Sequence, residues 1–161
     1  FAIRNFKFLG FTLGKNGNGI YVRVHAKSWK KFKSKLKDLS SRRSVQSIKP
    51  SLGRIKVYAR GWLNYYGIAS MKNNIEDING WLYHRIRMCI WKQWKTPQNR
   101  AKNLMKLGIS KRFAWSTAYY GAHIARVCQG GSMNMAVTKE RLARFGLVSM
   151  SDYYTERCLA C

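Results

Sequence analysis

The spacing of hydrophobic and polar residues changes near residue 26. Before that point, two short segments rich in β-branched and aromatic residues, 7–13 and 20–25, flank a linker with two Asn-Gly steps. Asn-Gly adopts the positive φ angles that tight hairpin turns require. The pattern therefore predicts a β-hairpin over residues 7–25. Because an isolated hairpin is only marginally stable, we expect it to belong to a larger sheet outside this sequence.

After residue 26, apolar residues recur at the three- and four-residue steps of amphipathic helices, in three successive segments. The second helix is expected to follow Pro50 and the third to begin at an Asn74 cap. The links between them are short, so the pattern predicts a three-helix bundle. The apolar stripes begin, in chain order, with Trp29, Phe32 and Leu36; with Ile55, Tyr58 and Ala59; and with Ile75, Ile78 and Leu82.

Helix-start signals recur after residue 95. Thr96 and Pro97 are typical of an N-cap and a first helical residue, and Ser110 is expected to cap a helix that runs to about residue 127. Thr138 is expected to start a further short helix. The predicted fold is mainly α: a short β-hairpin, a three-helix bundle and a small C-terminal helical domain, with a boundary at residues 95–97.

Composition and charge narrow the function. The 161 residues hold 31 Lys plus Arg against 6 Asp plus Glu, a formal net charge of +25. A compact chain with this charge repels itself unless a polyanion neutralises it, which indicates a nucleic-acid partner. An aromatic content of 14% excludes a basic disordered tail. No apolar run approaches the roughly 18 residues of a membrane span, so no membrane partner is expected.

The positive charge is concentrated in two segments. Residues 27–60 contain twelve basic residues against Asp38 alone, and residues 83–112 contain nine without any acid. A solvated helix alternates the two signs at four-residue steps, and these helices do not. The pattern favours phosphate contacts, since each one releases counterions without requiring a particular sequence. The tryptophans are interpreted as core packing between helices, with base stacking as the alternative.

The sequence lacks the residue groups of metal or nucleophilic catalysis. His25, His84 and His123 have no carboxylate at triad spacing, and the Cys158–Cys161 pair is interpreted as two free thiols in a reduced compartment. Two-metal chemistry needs two or three converging acids. The six acids are scattered along the chain, at Asp38, Glu76, Asp77, Glu140, Asp152 and Glu156. We therefore interpret the chain as one that binds nucleic acid and has no metal or cofactor of its own.

Four segments together resemble bacterial group II intron reverse transcriptases. Phe8-Leu-Gly-Phe11 is similar to their last palm motif, and Arg60-Gly-Trp-Leu-Asn-Tyr-Tyr66 to the signature of their maturase region. Residues 85–108 and the segment 144–154, which ends in Asp-Tyr-Tyr, continue the likeness. The resemblance implies the end of the palm at 1–26, the helical thumb (maturase domain X) at 27–95, and a DNA-binding domain D at 96–161.

The resemblance also implies a function and its residues. In such proteins the thumb binds intron RNA to promote splicing and closes over the RNA–DNA template-primer, while domain D contacts target DNA during retrotransposition. Together with the charge distribution, this predicts RNA or duplex contacts at Lys30, Lys33, Lys37, Arg42, Arg43, Lys49, Arg54, Lys56, Arg60, Arg85, Arg87, Lys92 and Lys95. The predicted DNA contacts are Lys102, Lys106, Lys111, Arg112 and Arg126.

The resemblance also implies which further parts the complete protein has. The sequence opens without an initiator Met and lacks the acidic palm motif, so we expect the upstream fingers and palm of the same protein to hold the polymerase centre with its Mg²⁺. We also expect no endonuclease region, and a ribonucleoprotein in the bacterial cytoplasm. Two alternatives stay open: a processivity module acting mainly on the RNA–DNA duplex, and an unrelated basic RNA-binding protein of the ribosome or nucleoid.

Overall fold

A computed structural model describes residues 6–43, 45–121 and 123–157. It is mainly helical with one antiparallel hairpin near its N-terminal end, which confirms the predicted fold class. None of the helices in this described part is both long and apolar enough to cross a lipid bilayer. The elements are β1 (Phe11–Asn16), β2 (Gly19–Val24), α1 (Ala26–Leu39), α2 (Ile48–Tyr66), α3 (Lys72–Gln93), α4 (Pro97–Lys106), α5 (Lys111–Ala118), α6 (Ile124–Gln129), α7 (Gly131–Ala136), α8 (Lys139–Arg144) and α9 (Met150–Arg157).

The hairpin forms where the Asn-Gly steps predict it. Its register pairs Phe11 with Val24 and Asn16 with Gly19, which has a φ of 121°. Within the described residues the sheet has these two strands, and helices supply the rest of the support. The Ser70 amide, in the link between α2 and α3, donates to the Val22 carbonyl at 3.0 Å. Packing on helices therefore supports the hairpin within the described part, and the larger sheet outside this sequence stays a prediction.

Local capping signals account for several helix starts. The Thr96 hydroxyl accepts from the Asn99 amide at 3.3 Å, ahead of Pro97, and the Thr138 hydroxyl accepts from the Arg141 amide at 3.2 Å. Both predicted caps are confirmed. The α3 helix starts at Lys72, two residues before the predicted Asn74 cap, with no side-chain cap bond. The α2 helix includes Pro50 in its first turn, where the missing N–H has no intrahelical partner to lose.

The segment 111–127 forms two helices instead of the predicted single one. The first, α5, ends at Ala118, and α6 begins after His123, whose imidazole accepts from the Ala125 amide at 3.3 Å. Gly121 lies in the break, where a glycine lowers helix propensity. The short α7 helix was not predicted; its fully buried Met133 shows that packing stabilises it.

One hydrophobic core runs through the described residues, from Val24 to Tyr154. The long α3 helix lies at its centre and packs against both α6 and α9, while α9 also packs against α2. The C-terminal helices therefore share a core with the first three helices. The domain boundary at 95–97 stays a prediction.

Three of the sequence motifs meet in this core. The Phe8-Leu-Gly-Phe11 motif is a tight turn with positive φ at Leu9 and Gly10, and the Tyr65 hydroxyl donates to the Leu9 carbonyl at 3.0 Å. From α9, the Tyr153 hydroxyl donates to the Asn64 side-chain oxygen Oδ1 at 2.7 Å. The Arg60–Tyr66 segment of α2 is thus the scaffold on which the hairpin and the C-terminal helix are both mounted.

Candidate nucleic-acid interface

The α1 helix separates an apolar stripe from a continuous row of lysines. Phe32 and Leu36 are fully buried, and Phe32 stacks on Trp62 of α2 with ring centroids 4.1 Å apart and planes at 17°. Trp29 packs on the same indole at 4.8 Å. These contacts confirm the packing interpretation for the two tryptophans. The remaining faces of α1 are exposed and carry Lys27, Lys30, Lys31, Lys33, Lys35 and Lys37.

The first lysine-lined depression, here the hairpin groove, lies between the hairpin, α1 and the start of α3. Its volume is about 1100 Å³, and its wall includes Lys30 and Lys33 as predicted. The hairpin adds Lys15 and Arg23, which sequence reasoning missed. Nothing in their local pattern distinguishes them from ordinary surface residues; the packing of the hairpin beside α1 brings them into the groove. Asp77 is the one carboxylate among the lining residues.

The second depression, here the α1–α2 groove, lies on the other side of α1. It has a volume of about 650 Å³ and is lined by Lys27, Lys31 and Lys35, with Lys30 shared between the two grooves. Tyr58 of α2 forms part of its floor, and Asp38 lies at its edge. Five of the six α1 lysines, all except Lys37, therefore line one groove or the other, and the helix forms a charged ridge between them.

A third basic cluster forms where the loop after α1 folds back on the end of α3. The Lys92 ammonium donates to the Arg42 carbonyl at 3.0 Å, and the Gln93 amide donates to the Gln46 carbonyl at 3.3 Å. These bonds attach the end of α3 to the main chain of the loop that carries the exposed Arg42 and Arg43, which are 50 and 49 residues before Lys92 in sequence. Exposed cations gathered on one part of the surface favour a bound anion.

Arg85 and Arg87 are tied into the protein itself. The Arg85 guanidinium donates to the Ser40 hydroxyl at 2.8 Å, to the Lys37 carbonyl at 3.1 Å and to the Ser40 carbonyl at 3.2 Å. Arg87 donates to the Val137 carbonyl at 3.0 Å. Burial lowers the pKa of both groups below the ordinary arginine value. Both arginines therefore have a structural role in the fold. That they also contact RNA through their remaining N–H groups stays a prediction.

The other predicted contacts lie at the surface in varying degrees. Lys56 is half-buried, and the Arg60 guanidinium lies 5.4 Å from the centroid of the Tyr153 ring. Lys33 lies 5.0 Å from the Trp81 ring centroid, a position that leaves its ammonium exposed. The remaining residues of the RNA set are exposed: Lys30, Lys37, Arg42, Arg43, Lys49, Arg54, Lys92 and Lys95. The DNA set is exposed on α4, α5 and α6: Lys102, Lys106, Lys111, Arg112 and Arg126.

The acids are less scattered in space than in sequence. Glu76, Glu140 and Asp152 line one pocket of about 540 Å³ between α3, α8 and α9. Glu140 and Asp152 each lie in the first turn of a helix, where a carboxylate is favourable. Among the described residues no group of three or more His, Cys, Asp or Glu has the arrangement to hold a metal ion. Lys139 lines the same pocket, so its lining carries charges of both signs.

The two described cysteines are unsuited to chemistry. Cys89 and Cys128 are buried free thiols; burial raises the pKa of Cys89, and it raises the pKa of Cys128 to about 12. A protonated thiol is a poor nucleophile and a poor metal ligand. Cys158 and Cys161, interpreted above as free thiols, lie outside the described residues.

Fold and surface together define a basic helical scaffold with lysine-lined grooves. Residues 29–108, from within α1 to the glycine after α4, match the model of the group II intron, maturase-specific domain. No curated protein matches the chain. The chain therefore contains the maturase-specific domain of group II intron proteins, which confirms the resemblance. This domain gives the chain a role in group II intron splicing, with group II intron RNA as its partner.

Proposed function

We propose that the chain binds group II intron RNA through the hairpin groove, the α1–α2 groove and the Arg42–Lys92 cluster, and so stabilises the folded, splicing-competent RNA. The observation that carries this proposal is that five of the six exposed lysines of α1 line one groove or the other, and Lys30 lines both. Two RNA backbones lying one on each side of this ridge are held by phosphate contacts, which position RNA by shape rather than by base sequence.

The first experiment measures intron RNA binding at several salt concentrations. The variant replaces Lys30, Lys31 and Lys33 with Gln, which keeps good helix formers on exposed positions of α1. We expect its affinity for a folded group II intron transcript to fall about tenfold or more. The slope of log affinity against log salt should decrease by about 2, since each lost phosphate contact removes roughly 0.7 to 0.9.

The matched control changes the same amount of charge elsewhere. Lys72, Lys139 and Arg144 are exposed on α3 and α8, and replacing them with Gln also removes three positive charges. We expect this control to change the affinity less than threefold. Equal losses in the two triple variants would contradict the proposed surface, and a wild-type affinity independent of salt would contradict electrostatic binding altogether.

We further propose that this chain is the thumb and DNA-binding part of a reverse transcriptase whose metal-holding palm lies upstream. The exposed basic residues of α4, α5 and α6 support a target-DNA surface. In the complete protein, the lysine triple variant separates the two thumb activities: loss of intron splicing with primer extension retained supports RNA scaffolding, and the opposite result supports a processivity module on the RNA–DNA duplex.

A further inference from the structure

The surface around α5 carries exposed aromatic rings that do not belong to the core. Phe113, Tyr119 and Tyr120 are 63%, 59% and 57% exposed. Within the described residues, the core cluster and the side chains packed against it include none of the three, nor the half-buried Trp115 between them. These four aromatic residues lie within eight positions and do not contribute to the core. Exposed apolar patches of this kind mark interaction sites, which makes this surface a candidate for ligand binding.

The exposed rings and Arg112 lie on the same side of α5 and of the turn that follows it. Ala114 and Ala118 are the buried positions of α5, so they face α4 and the interior. At 3.6 residues per turn, the opposite side carries Tyr119, then Arg112, then the small Ser116, and then Tyr120 and Phe113. The turn continues through this region, since the Tyr120 amide donates to the Thr117 carbonyl at 3.2 Å. The rings and Arg112 thus share the exposed side of this segment, with Tyr119 and Tyr120 about two helical turns along the axis from Arg112 and Phe113.

One of the rings is already held in place. The Tyr119 ring stacks on Trp115 with centroids 5.8 Å apart and planes at 16°, and its hydroxyl accepts from the Gln98 amide at 3.2 Å. More than half of the Tyr119 side chain nevertheless faces solvent. A ring ordered before binding loses little conformational freedom when a second flat group stacks on it.

The charge around this surface selects the kind of flat group. The sequence has no Asp or Glu between Asp77 and Glu140, whereas Lys111 and Arg112 lie on α5 itself and Lys106 closely precedes it. A ligand with flat apolar faces and a negative backbone matches both properties, and unpaired nucleotides have both. A base-paired duplex offers the same phosphates but hides its base faces.

We propose that Phe113, Tyr119 and Tyr120 form a stacking platform for the unpaired bases of single-stranded nucleic acid, with Lys111 and Arg112 holding the adjoining phosphates. This inference deepens the proposed nucleic-acid binding and rests on it. It adds base contacts, on a surface separate from α1, to an interface otherwise built from phosphate contacts.

The experiment compares four fluorescein-labelled probes by anisotropy with the 161-residue chain: dT12, rU12, an abasic 12-mer and a 12-base-pair duplex. The wild type should bind dT12 or rU12 more tightly than the abasic strand, and the preference between dT12 and rU12 reports whether DNA or RNA is the favoured source of the bases. Alanine at positions 113, 119 and 120 together should weaken binding of the favoured strand about tenfold or more. The abasic strand and the duplex should change less than twofold.

Matched variants keep the result interpretable. Phe145→Ala removes a ring of 59% exposure on another surface and should leave every affinity unchanged. Tyr119→Phe keeps the ring and loses the bond to Gln98, so it should retain most of the dT12 affinity. If the triple variant does not fold, Phe113→Ala alone, at the most exposed of the three rings, should reduce binding of the favoured strand about fivefold.

Two outcomes overturn the platform. If the wild type binds the abasic strand as tightly as the base-bearing strands, the bases do not contribute to binding. If the triple variant loses the same affinity for all four probes, the rings do not stack on bases. Intron RNA binding by the α1 variants is measured in parallel. A wild type that binds intron RNA but shows no base-dependent binding refutes the platform alone, whereas a wild type that binds neither refutes the proposed function as well.

Discussion

At the scale of single residues, Gly10 explains the Phe8-Leu-Gly-Phe11 motif. Its φ is 86°, and a Cβ built at this position would overlap the Tyr66 hydroxyl and lie 2.9 Å from the Ser28 hydroxyl oxygen. Its carbonyl accepts from the His25 amide at 2.9 Å and from the Ser28 hydroxyl at 3.0 Å. The glycine is therefore the point where the hairpin, the start of α1 and the end of α2 come into direct contact.

Gly10→Ala should lower the free energy of unfolding by about 2 kcal/mol or more, because it adds the cost of a left-handed backbone to a clash with buried neighbours. Urea denaturation monitored by circular dichroism measures the change. Gly17→Ala is the matched control in the same hairpin, since nothing lies within 4 Å of its added Cβ. The control should change stability by less than about 0.5 kcal/mol. Equal effects of the two substitutions would show that Gly10 is not a packing joint.

At the scale of elements, Arg85 joins the end of α1 to the middle of α3. A helix C-terminus leaves carbonyls without partners and a partial negative charge. The Arg85 guanidinium donates to the Lys37 and Ser40 carbonyls, so it supplies hydrogen-bond partners at this helix end. Its positive charge also offsets the partial negative charge there. Its Nε–H also donates to the Ser40 hydroxyl, which in turn donates to the Leu36 carbonyl at 2.6 Å. The loop that presents Arg42 and Arg43 begins at this anchored point.

Arg85→Lys should therefore act on stability before it acts on RNA. Lysine keeps the charge but cannot reproduce the planar fork, so we expect a loss of about 1 to 3 kcal/mol in the free energy of unfolding. Below the unfolding transition, affinity for the intron transcript should stay within about threefold of wild type. Arg43→Lys, on an exposed arginine of the same loop, should leave stability unchanged. A stable Arg85→Lys protein with weakened RNA binding would instead make Arg85 chiefly a phosphate contact.

The contrast between Thr96 and Arg85 shows what the sequence could predict. Thr96 acts on the next three residues, so its cap and the Pro97 helix start are visible in the local pattern. Arg85 acts on Ser40, 45 residues earlier, and no spacing rule within α3 reveals that contact. The α7 helix was missed for the same reason, since a six-residue helix depends on tertiary packing rather than on its own propensity. In the interface, the α1 lysines followed from helical periodicity, whereas Lys15 and Arg23 depended on how the hairpin packs.

At the scale of the whole molecule, charge and packing are divided between different parts of the surface. Two of the motif segments are joined to each other, because Arg60 and Asn64 of α2 both contact Tyr153 of α9. Lysines that serve no packing purpose line the grooves beside α1, and three of the acids line a pocket between α3, α8 and α9. The motifs therefore build the scaffold, and less distinctive basic residues provide the surface that it presents.

The buried ionisable groups of this scaffold predict how stability depends on pH. Burial raises the pKa of the Cys128 thiol from its ordinary value of 9.0 to about 12, and it also raises the pKa values of Cys89, Tyr58 and Tyr83. At alkaline pH the unfolded chain releases these protons while the folded chain keeps them. Their contribution to stability is therefore fully present below about pH 9 and is lost as the pH rises from 9 toward 12.

Urea denaturation at fixed ionic strength, under reducing conditions, measures this loss between pH 8 and pH 10.5. The high net positive charge of the chain adds a pH dependence of its own, which any variant that keeps every basic residue shares. The decisive comparison is therefore with Cys128→Ala, which removes the thiol and leaves every lysine in place. We expect the variant to be less stable than wild type at pH 8, because it creates a small cavity, and to lose less stability on going to pH 10.5. Parallel pH profiles for the two proteins would show that the Cys128 thiol does not govern the alkaline loss, and would shift the explanation to the buried tyrosines.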